Sequence, residues 1–135
     1  MDYTIRQTEF ETIKRFTTRA ARERVIISDP PCAVWFAAFI TNHPDSIPIG
    51  CACCVIKGQE ALFRGIYVEK PFRRKGVFRA LFTEQLKYCK AHGVKELTAN
   101  CTPLSLPEFL VKGFTKIGNY KNSKTITVVR LVIRE

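Results

Sequence analysis

The apolar residues change their spacing abruptly near residue 70, and this change constrains the fold more than any other feature. Ala61–Val68 has the composition of a strand. The apolar residues then recur at helical spacing, at Val77, Phe78, Leu81, Phe82, Leu86 and Cys89. Gly93 suits the position just after that helix, and Glu96–Cys101 reads as the next strand. A strand, a helix and a strand in this order predict a β-α-β crossover, whose two strands are parallel neighbours.

The remaining elements add strands on both sides of this crossover. Before it come the strand Tyr3–Gln7, the basic helical stretch Phe10–Val25, and the strands Cys32–Thr41 and Ile49–Lys57, joined by turn residues at Asn42–Pro48. After it come the short helix Leu106–Lys112 and a hairpin of Phe114–Tyr120 and Thr125–Ile133. The order β-α-β-β-β-α-β-α-β-β predicts one α/β (α+β) domain over residues 1-135, with a mixed, mostly antiparallel sheet of about seven strands and flanking helices.

Composition narrows the class of protein. Apolar residues make up 46% of the chain and charged residues 25%, a balance typical of a globular domain. The longest apolar run, Cys32–Ile40, is too short to span a bilayer, and the first residues lack the pattern of a signal peptide. We therefore expect a cytoplasmic protein without membrane contact, either a monomer or a homodimer.

The six cysteines lie mostly inside apolar segments. Cys51 and Cys54 form a C-x-x-C pair, and Cys89 with His92 forms a C-x-x-H pair, which raises the question of a zinc site. The first pair, however, falls in a strand-like run without the turn that zinc knuckles need. We expect these cysteines to be core residues, and no metal site.

The positive charge points to an anionic partner. The chain has 22 Lys and Arg against 12 Asp and Glu, a net charge of +10. Five of the basic residues surround Gly76, namely Lys70, Arg73, Arg74, Lys75 and Arg79. The total charge would also suit nucleic acid, which stays open as a partner, but this local cluster favours a phosphorylated cofactor.

The loop between Val68 and Val77 has the chemistry of a phosphate site. The first turn of a helix leaves backbone N–H groups without partners, at the positive end of the helix dipole. A glycine lets the backbone approach a phosphate closely, so a junction of strand, glycine turn and helix can bind an anion. We expect Arg73, Arg74, Lys75 and Arg79 to add mobile positive charge around it.

The same segment resembles the acetyl-CoA-binding motif of the GNAT superfamily of N-acetyltransferases, [Q/R]-x-x-G-x-[G/A]. Residues Arg73–Phe78 read RRKGVF, after the approach VEKPF at Val68–Phe72. Further on, Val111–Gly118 reads VKGFTKIG, which is similar to the late G-F segment of that superfamily. The resemblance in element order extends over nearly the whole chain.

Two positions depart from the pattern of the superfamily. Phe78 stands where the signature has Gly or Ala, and we expect its side chain to turn into the core. Phe109 stands where many members have the tyrosine that protonates the leaving thiolate, four residues before the Gly of Gly-Phe. No phenol is available from that position.

The resemblance implies that the chain transfers an acetyl group from acetyl-CoA, its co-substrate, to an amine of a small molecule or a protein, by direct attack in a ternary complex. It implies a gap between the strands ending at Val68 and Cys101 that admits the pantetheine. It also implies a set of cofactor-binding residues: Ile66, Tyr67, Val68, Arg73, Arg74, Lys75, Gly76, Val77, Phe78, Arg79 and Asn100. Backbone amides near Ile66–Val68 would polarise the thioester.

The catalytic residues are less constrained. The strand Ala61–Val68 lacks the carboxylate that often serves as the base, and Glu108 lies on the short helix near the expected thioester. Tyr120, or else Tyr67 or Cys101, would replace the missing acid, with Tyr120 preferred because the closing hairpin usually borders the acceptor site.

Two alternatives use the same fold. One is a Mom-like enzyme that modifies nucleic-acid bases, with Arg15, Arg19 and Arg22 on one helical face to contact phosphates. The other is a non-catalytic module that binds coenzyme A without transferring an acyl group, for which Phe109 and the missing carboxylate argue.

Overall fold

A computed structural model describes residues 2–41 and 47–134. The strands are β1 (Tyr3–Thr8), β2 (Ala33–Ile40), β3 (Pro48–Lys57), β4 (Glu60–Val68), β5 (Glu96–Cys101), β6 (Thr115–Asn119) and β7 (Thr127–Val132). The helices are α1 (Phe10–Ile13), α2 (Thr17–Arg22), α3 (Val77–Ala91) and α4 (Leu106–Val111), with single 3₁₀ turns at Lys14–Phe16 and Lys70–Phe72.

The seven strands form one sheet in the order β1-β2-β3-β4-β5-β7-β6. Every neighbouring pair is antiparallel except β4 and β5, which are parallel because α3 crosses between them. The predicted fold class, a mixed and mostly antiparallel sheet with flanking helices, is confirmed. The closing hairpin adds one detail of topology, since its second strand, β7, lies next to β5 and leaves β6 at the edge.

Each face of the sheet has its own core. On one face, α3 and α4 bury Leu81, Phe82 and Phe109 against Phe63 and neighbouring side chains. On the other face, residues 10–20 bury Ile13, Phe16 and Ala20 against a cluster that includes Trp35 and Tyr67. The central strand β3 is buried on both faces, which explains its continuous apolar run.

The predicted helical stretch Phe10–Val25 is helical only as far as Arg22, and it is not a single α-helix. The segment consists of α1, the 3₁₀ turn and α2, which ends at Arg22. The hydroxyl of Thr17 donates to the carbonyl of Lys14 at 2.7 Å, a local bond of the kind that bends helices. The predicted apolar stripe is nevertheless buried, because each short element still turns its apolar residues towards the sheet.

The other predicted elements differ from the structure by at most two residues at either end, and Glu96–Cys101 has the predicted bounds. Gly93 has φ +77°, the left-handed conformation expected just after α3. Most of the turn predicted at Asn42–Pro48 lies outside the described residues. In the described ranges, none of the helices combines the length and the apolarity that crossing a bilayer requires.

The two cysteines of the C-x-x-C pattern, Cys51 and Cys54, lie on opposite faces of the sheet. Cys51 belongs to the core beneath residues 10–20, and Cys54 belongs to the core beneath α3. Cys89 is buried, whereas His92 is exposed and stacks on Tyr88 with 4.0 Å between ring centroids. Among the residues that the structure describes, no group of three or more His, Cys, Asp or Glu side chains is placed to hold a metal ion.

Candidate active site

A bulge in β4 opens the centre of the sheet. β4 and β5 pair only from Glu60–Glu96 to Phe63–Ala99, and beyond that point they separate. On the other side of β4, Cys51 and Cys53 of β3 are two residues apart, but they face Tyr67 and Arg64, which are three residues apart. The extra residue bends β4 away from β5. The predicted gap near Val68 and Cys101 is therefore present.

Gly65 makes this bulge possible. Its φ is +62°, and a Cβ at this position would lie 3.0 Å from the six-membered ring of Trp35. Any other residue would combine backbone strain with a steric clash. Trp35 is 2% exposed and contacts the ring of Phe10 as well.

Two pockets meet in the gap. The first, which we call the loop pocket, has a volume of about 730 Å³ and is lined by the 72–79 loop, the end of β4 and the start of α4. The second, which we call the gap pocket, has a volume of about 250 Å³ and lies between β4, β5, residues 24–26 and the loop after β6. They share four lining residues: Val25, Ile66, Thr102 and Ser105. A molecule in one pocket can therefore contact a molecule in the other.

The backbone of the loop is shaped for close approach to an anion. Arg74 and Gly76 both have left-handed backbones, with φ of +62° and +82°. Gly76 begins α3, whose first amides have no acceptor within the helix. A Cβ on Gly76 would meet only the hydroxyl of Tyr3, at 3.2 Å, and that hydroxyl donates to the carbonyl of Lys75. These features fit the diphosphate of coenzyme A.

Arg73 does not carry the mobile charge that we expected of it. Its Nε donates to the carbonyl of Val68 at 2.8 Å, and its Nη2 lies 2.7 Å from a carboxylate oxygen of Glu23. Its guanidinium also lies 5.6 Å from the centroid of the Tyr67 ring. Arg73 is therefore held by the protein, and it ties the loop to the end of α2.

The remaining predicted cofactor residues are divided between the pockets. Tyr67, Val68, Arg74, Val77 and Arg79 line the loop pocket, together with Arg73, Gly76 and Phe78, and Ile66 lines both pockets. Asn100 lines the gap pocket instead, because it follows the point where β5 leaves β4. Lys75 is exposed and is not part of either wall.

The two departures from the superfamily pattern contact each other. The rings of Phe78 and Phe109 pack edge to face at 5.6 Å, and Phe109 packs in the same way on Phe114 at 5.1 Å. Phe109 is 3% exposed. The bulk of Phe78 is thus accommodated by an apolar ring at the position where a tyrosine is common, as expected for a side chain turned into the core.

The three predicted catalytic side chains have different environments. Tyr120 lines the gap pocket and is 38% exposed, and Glu108 is exposed on the wall of the loop pocket. Cys101 is fully buried and lines neither pocket. Burial raises the pKa of its thiol to about 11, although a hydrogen bond with Ser105 opposes the shift. The role of each as acid or base stays a prediction.

Sequence reasoning missed three residues of this site. Ser105, on both pocket walls, exchanges hydrogen bonds with Thr102: the backbone N–H of Thr102 donates to its Oγ at 3.1 Å. Glu23 holds Arg73 from 50 positions away, which no sequence pattern signals. Lys112 has its pKa lowered by burial and by neighbouring Arg79, so two cations lie close together beside the loop pocket.

A bulged β4 beside a parallel β5, with a glycine-opened helix at their end, defines an acyl-CoA-binding acyltransferase site. In agreement, the profile of the family described as "Acetyltransferase (GNAT) family" matches residues 3–107, most of the chain. The chain belongs to the GNAT family of acetyltransferases; it is an acyltransferase enzyme, and its co-substrate is acetyl-CoA. No curated protein matches the sequence significantly.

Solved structures with low sequence identity share the fold. The chain is similar to the ribosomal-protein-S18-alanine N-acetyltransferase from Escherichia coli, with a TM-score of 0.78, 17% identity, and coverage of 99% of this chain and 96% of that one. It is similar to Ard1 from Thermoplasma volcanium, with a TM-score of 0.78, 16% identity and full coverage of both chains. It is also similar to the PaiA N-acetyltransferase from Thermoplasma acidophilum in complex with coenzyme A, with a TM-score of 0.76, 14% identity, and coverage of 98% and 100%.

Proposed function

We propose that the protein transfers the acetyl group of acetyl-CoA to the nitrogen of an amine acceptor by direct attack within a ternary complex. The observation that carries this proposal is the wall that the two pockets share at Ile66, Thr102 and Ser105. An acetyl donor in the loop pocket and an amine in the gap pocket would meet there. Holding both reactants in contact removes much of the entropic cost of a bimolecular step.

The loop pocket suits the donor. The first amides of α3 and the left-handed backbone at Arg74 and Gly76 would bind the diphosphate, with Arg79 and Lys112 supplying charge nearby. Past Phe63, the edge of β4 that faces the gap no longer pairs with β5. Backbone groups near Ile66–Val68 are therefore placed to bind the pantetheine and to polarise the thioester carbonyl.

The reaction moves two protons besides the acetyl group. The C–S bond of the thioester breaks as the C–N bond forms. The acceptor nitrogen loses two protons, one from the ammonium to a base before the attack and one as the amide forms, and the departing thiolate takes one proton up. In the described part of the chain, the hydroxyl-bearing residues that line the gap pocket are Thr102, Ser105 and Tyr120, and we assign the thiolate proton to Ser105 or Tyr120. Glu108 is our candidate for the base, since the other pocket carboxylate, Glu23, is held by Arg73. Buried Cys101 receives no role.

The acceptor belongs to the class of amines carried by small molecules or proteins. Among the structural neighbours, the Escherichia coli enzyme is named for an alanine of ribosomal protein S18. The N-acetylglutamate synthase from Neisseria gonorrhoeae was solved with coenzyme A and N-acetyl-glutamate, and this chain spans about a third of its length, 36%. We extend this range of acceptors to the present protein, and we place it in the cytoplasm as a monomer or homodimer.

The structure does not favour modification of nucleic acid. Of the basic residues expected to contact phosphates, Arg19 is ion-paired with Glu69, and the helix that was to align it with Arg15 and Arg22 is broken by the 3₁₀ turn. The charge of the chain still permits nonspecific binding of a polyanion. Nucleic acid therefore serves as an alternative acceptor in the tests below.

The test compares two glycines at opposite ends of α3. Gly76 and Gly93 both have left-handed backbones, with φ of +82° and +77°, and Gly93 has open space around it. Gly76→Glu and Gly93→Glu therefore bring similar backbone strain and the same charge, but only the first places a carboxylate at the diphosphate site. We expect Gly76→Glu to weaken coenzyme A binding in calorimetry by at least about tenfold, with Gly93→Glu close to the wild type.

Thiol release from acetyl-CoA across a panel of amines then separates an enzyme from a binding module. Release that depends on an amine supports acetyl transfer. Coenzyme A binding without release from any amine would show that the protein is the non-catalytic module. Equal coenzyme A affinity in Gly76→Glu and the wild type would overturn the assignment of the loop.

A further inference from the structure

The gap pocket carries a positive charge that acetyl transfer to an amine does not by itself require. Its charged lining residues are Arg24 and Arg64, and among the residues that the structure describes, no Asp or Glu lines it. An amine acceptor arrives at neutral pH as an ammonium cation. Two guanidinium groups repel a bare ammonium, so a cationic acceptor without a compensating anion would enter this pocket at a disadvantage.

Arg64 is held in place without being neutralised. It lies on β4 directly before the Gly65 bulge, is partly buried, and donates from Nη2 to the hydroxyl of Ser28 at 3.0 Å. Within the described ranges it has no ion pair with a carboxylate. Asp29 follows Ser28 in sequence, but its carboxylate accepts a hydrogen bond from Trp35 at 3.1 Å and is not part of the pocket wall.

Arg24 occupies a position whose left-handed backbone conformation favours glycine. The N–H of Val25 donates to the carbonyl of Ala20, and the N–H of Arg24 donates to that of Ala21, which is the Schellman pattern at the end of α2. The residue after such a helix is left-handed, and Arg24 has φ +63°. A side chain there costs about 1 kcal/mol relative to glycine. An arginine does not stabilise the backbone at this position, which indicates that its side chain has a role of another kind.

The two arginines enter the pocket from different elements. Arg24 comes from the loop after α2 and Arg64 from β4, and the apolar side chains of Val25 and Ile26 line the wall beside them. The pocket volume of about 250 Å³ suits a small molecule better than a polymer. Guanidinium groups are the side chains best matched to carboxylates.

We propose that the acceptor is a small amine that carries a carboxylate, the chemistry of an amino acid, and that Arg24 and Arg64 bind this carboxylate while the amine faces the shared wall at Ile66, Thr102 and Ser105. This inference rests on the proposed acetyl transfer and adds the class of acceptor. The carboxylate is unchanged by the reaction, whose bonds and protons balance as described above. Arg24 and Arg64 are specificity-determining residues rather than members of the proton-transfer pathway.

The test uses free amino acids, each paired with its primary amide, in the thiol-release assay. The amide keeps the side chain and the amine but removes the negative charge. Because the amide also loses its ammonium proton more easily, the intrinsic chemistry favours it, and a preference for the acid must come from the protein. We expect kcat/KM to be at least about tenfold higher for the amino acid than for its amide.

Arg24→Gly removes one guanidinium and relieves the left-handed strain at the same time. We expect it to raise KM for the amino acid by about tenfold, to leave the amide nearly unchanged, and to leave Tm equal or higher. Arg64→Gln should raise the same KM. Arg22→Ala, at an exposed position of α2 outside both pockets, is the matched control and should behave as the wild type.

Three results would overturn the inference. The first is an amide that reacts as well as its acid in the wild type. The second is an Arg24→Gly variant that loses activity equally with both. The third is turnover restricted to DNA oligonucleotides or to uncharged amines, with no binding of free amino acids to the coenzyme A-saturated protein in calorimetry. Coenzyme A affinity in Gly76→Glu decides the proposed function separately, so the two failures are distinguishable.

Discussion

The two pockets of this protein are built in different ways. Most residues that line the loop pocket come from one continuous stretch, the end of β4 through the first turn of α3, where a left-handed backbone at Arg74 and Gly76 is exposed to an anion. The gap pocket is made of side chains from segments that are far apart in sequence, from Arg24 to Ile126. Backbone binding of a diphosphate tolerates many side chains, whereas recognition of an acceptor depends on which side chains converge. The first pocket can therefore be shared by a family while the second is particular to one protein.

The largest effect should come from Gly65, where the gap pocket depends on a contact distant in sequence. Gly65 and Gly58 have nearly the same φ, +62° and +61°, but a Cβ at Gly65 meets Trp35 at 3.0 Å and a Cβ at Gly58 meets nothing within 4 Å. We expect Gly58→Ala to lower the free energy of unfolding by about 1 kcal/mol through backbone strain alone. Gly65→Ala should lower it by about 2–4 kcal/mol, since overpacking adds to the strain.

Chemical denaturation of both variants measures the difference directly. If the two alanine variants were equally stable, the side chain of Trp35 would shift to accommodate the new Cβ without lowering the free energy of unfolding. The bulge at the gap would then be a local feature of the backbone, like the loop.

A smaller effect should appear at high pH, because buried thiols lie beneath both pockets. Burial raises the pKa of Cys53 to about 12 and that of Cys101 to about 11, from an ordinary value of 9.0. Between pH 9 and 11 the unfolded chain releases these protons while the folded chain retains them, so the free energy of unfolding falls as pH rises. The share of Cys101 should be about 1–2 kcal/mol over this range.

The substitution Cys101→Ala removes the contribution of this thiol to the pH dependence of stability. Whatever the stability of the variant at pH 7, its free energy of unfolding should decline less steeply between pH 9 and 11 than that of the wild type. Parallel curves for the two proteins would mean that Cys101 ionises equally in the folded and unfolded states, and that its thiol is accessible from the gap.

The smallest effect concerns an ion pair on the wall of the loop pocket. The ion pair of Arg73 and Glu23 joins the loop to the end of α2, and its side chains are 28% and 22% exposed. A double-mutant cycle with Arg73→Gln and Glu23→Gln should give a coupling energy of about 1 kcal/mol in stability. The pair Lys87 and Glu84, with side chains 70% and 39% exposed, should give only a few tenths.

The affinity of the same variants for coenzyme A provides a second measurement of the role of this ion pair. If Glu23→Gln weakens coenzyme A binding, Glu23 helps to hold the loop in its binding conformation through Arg73. Coupling no larger than that of Lys87 and Glu84 would show that this ion pair does not stabilise the loop.

The crossover of β4, α3 and β5 could be predicted from sequence because its signals are local. Apolar spacing identifies α3, and a glycine at each end marks where it begins and ends, so these boundaries needed no knowledge of the rest of the chain. The segment from Phe10 to Val25 was misjudged as one helix because short, Thr-containing helices depend on packing as much as on pattern. Its burial was predicted nonetheless, since Ile13, Phe16 and Ala20 face the sheet in either conformation.

The charges were predicted less well than the backbone. Sequence placed Arg73 at the loop correctly but treated it as mobile, because its partner Glu23 lies 50 positions earlier. It also assigned Asn100 to the cofactor; Asn100 lines the gap pocket, and its contact with the cofactor stays a prediction. Ion-pair partners are decided by the packing of distant elements, and no spacing in the chain encodes them.

The sequence alone determined the element order, the parallel crossover and the anion-binding loop, because each follows from propensity and spacing within a few residues. The tertiary structure alone decided where β4 leaves β5, which arginines share a pocket, and which cysteine is out of reach of the acceptor. These features depend on how Trp35 meets Gly65 and how residues 24–26 fold over β4. Contacts between distant segments form only when the whole chain is packed, and in this protein they surround the gap pocket.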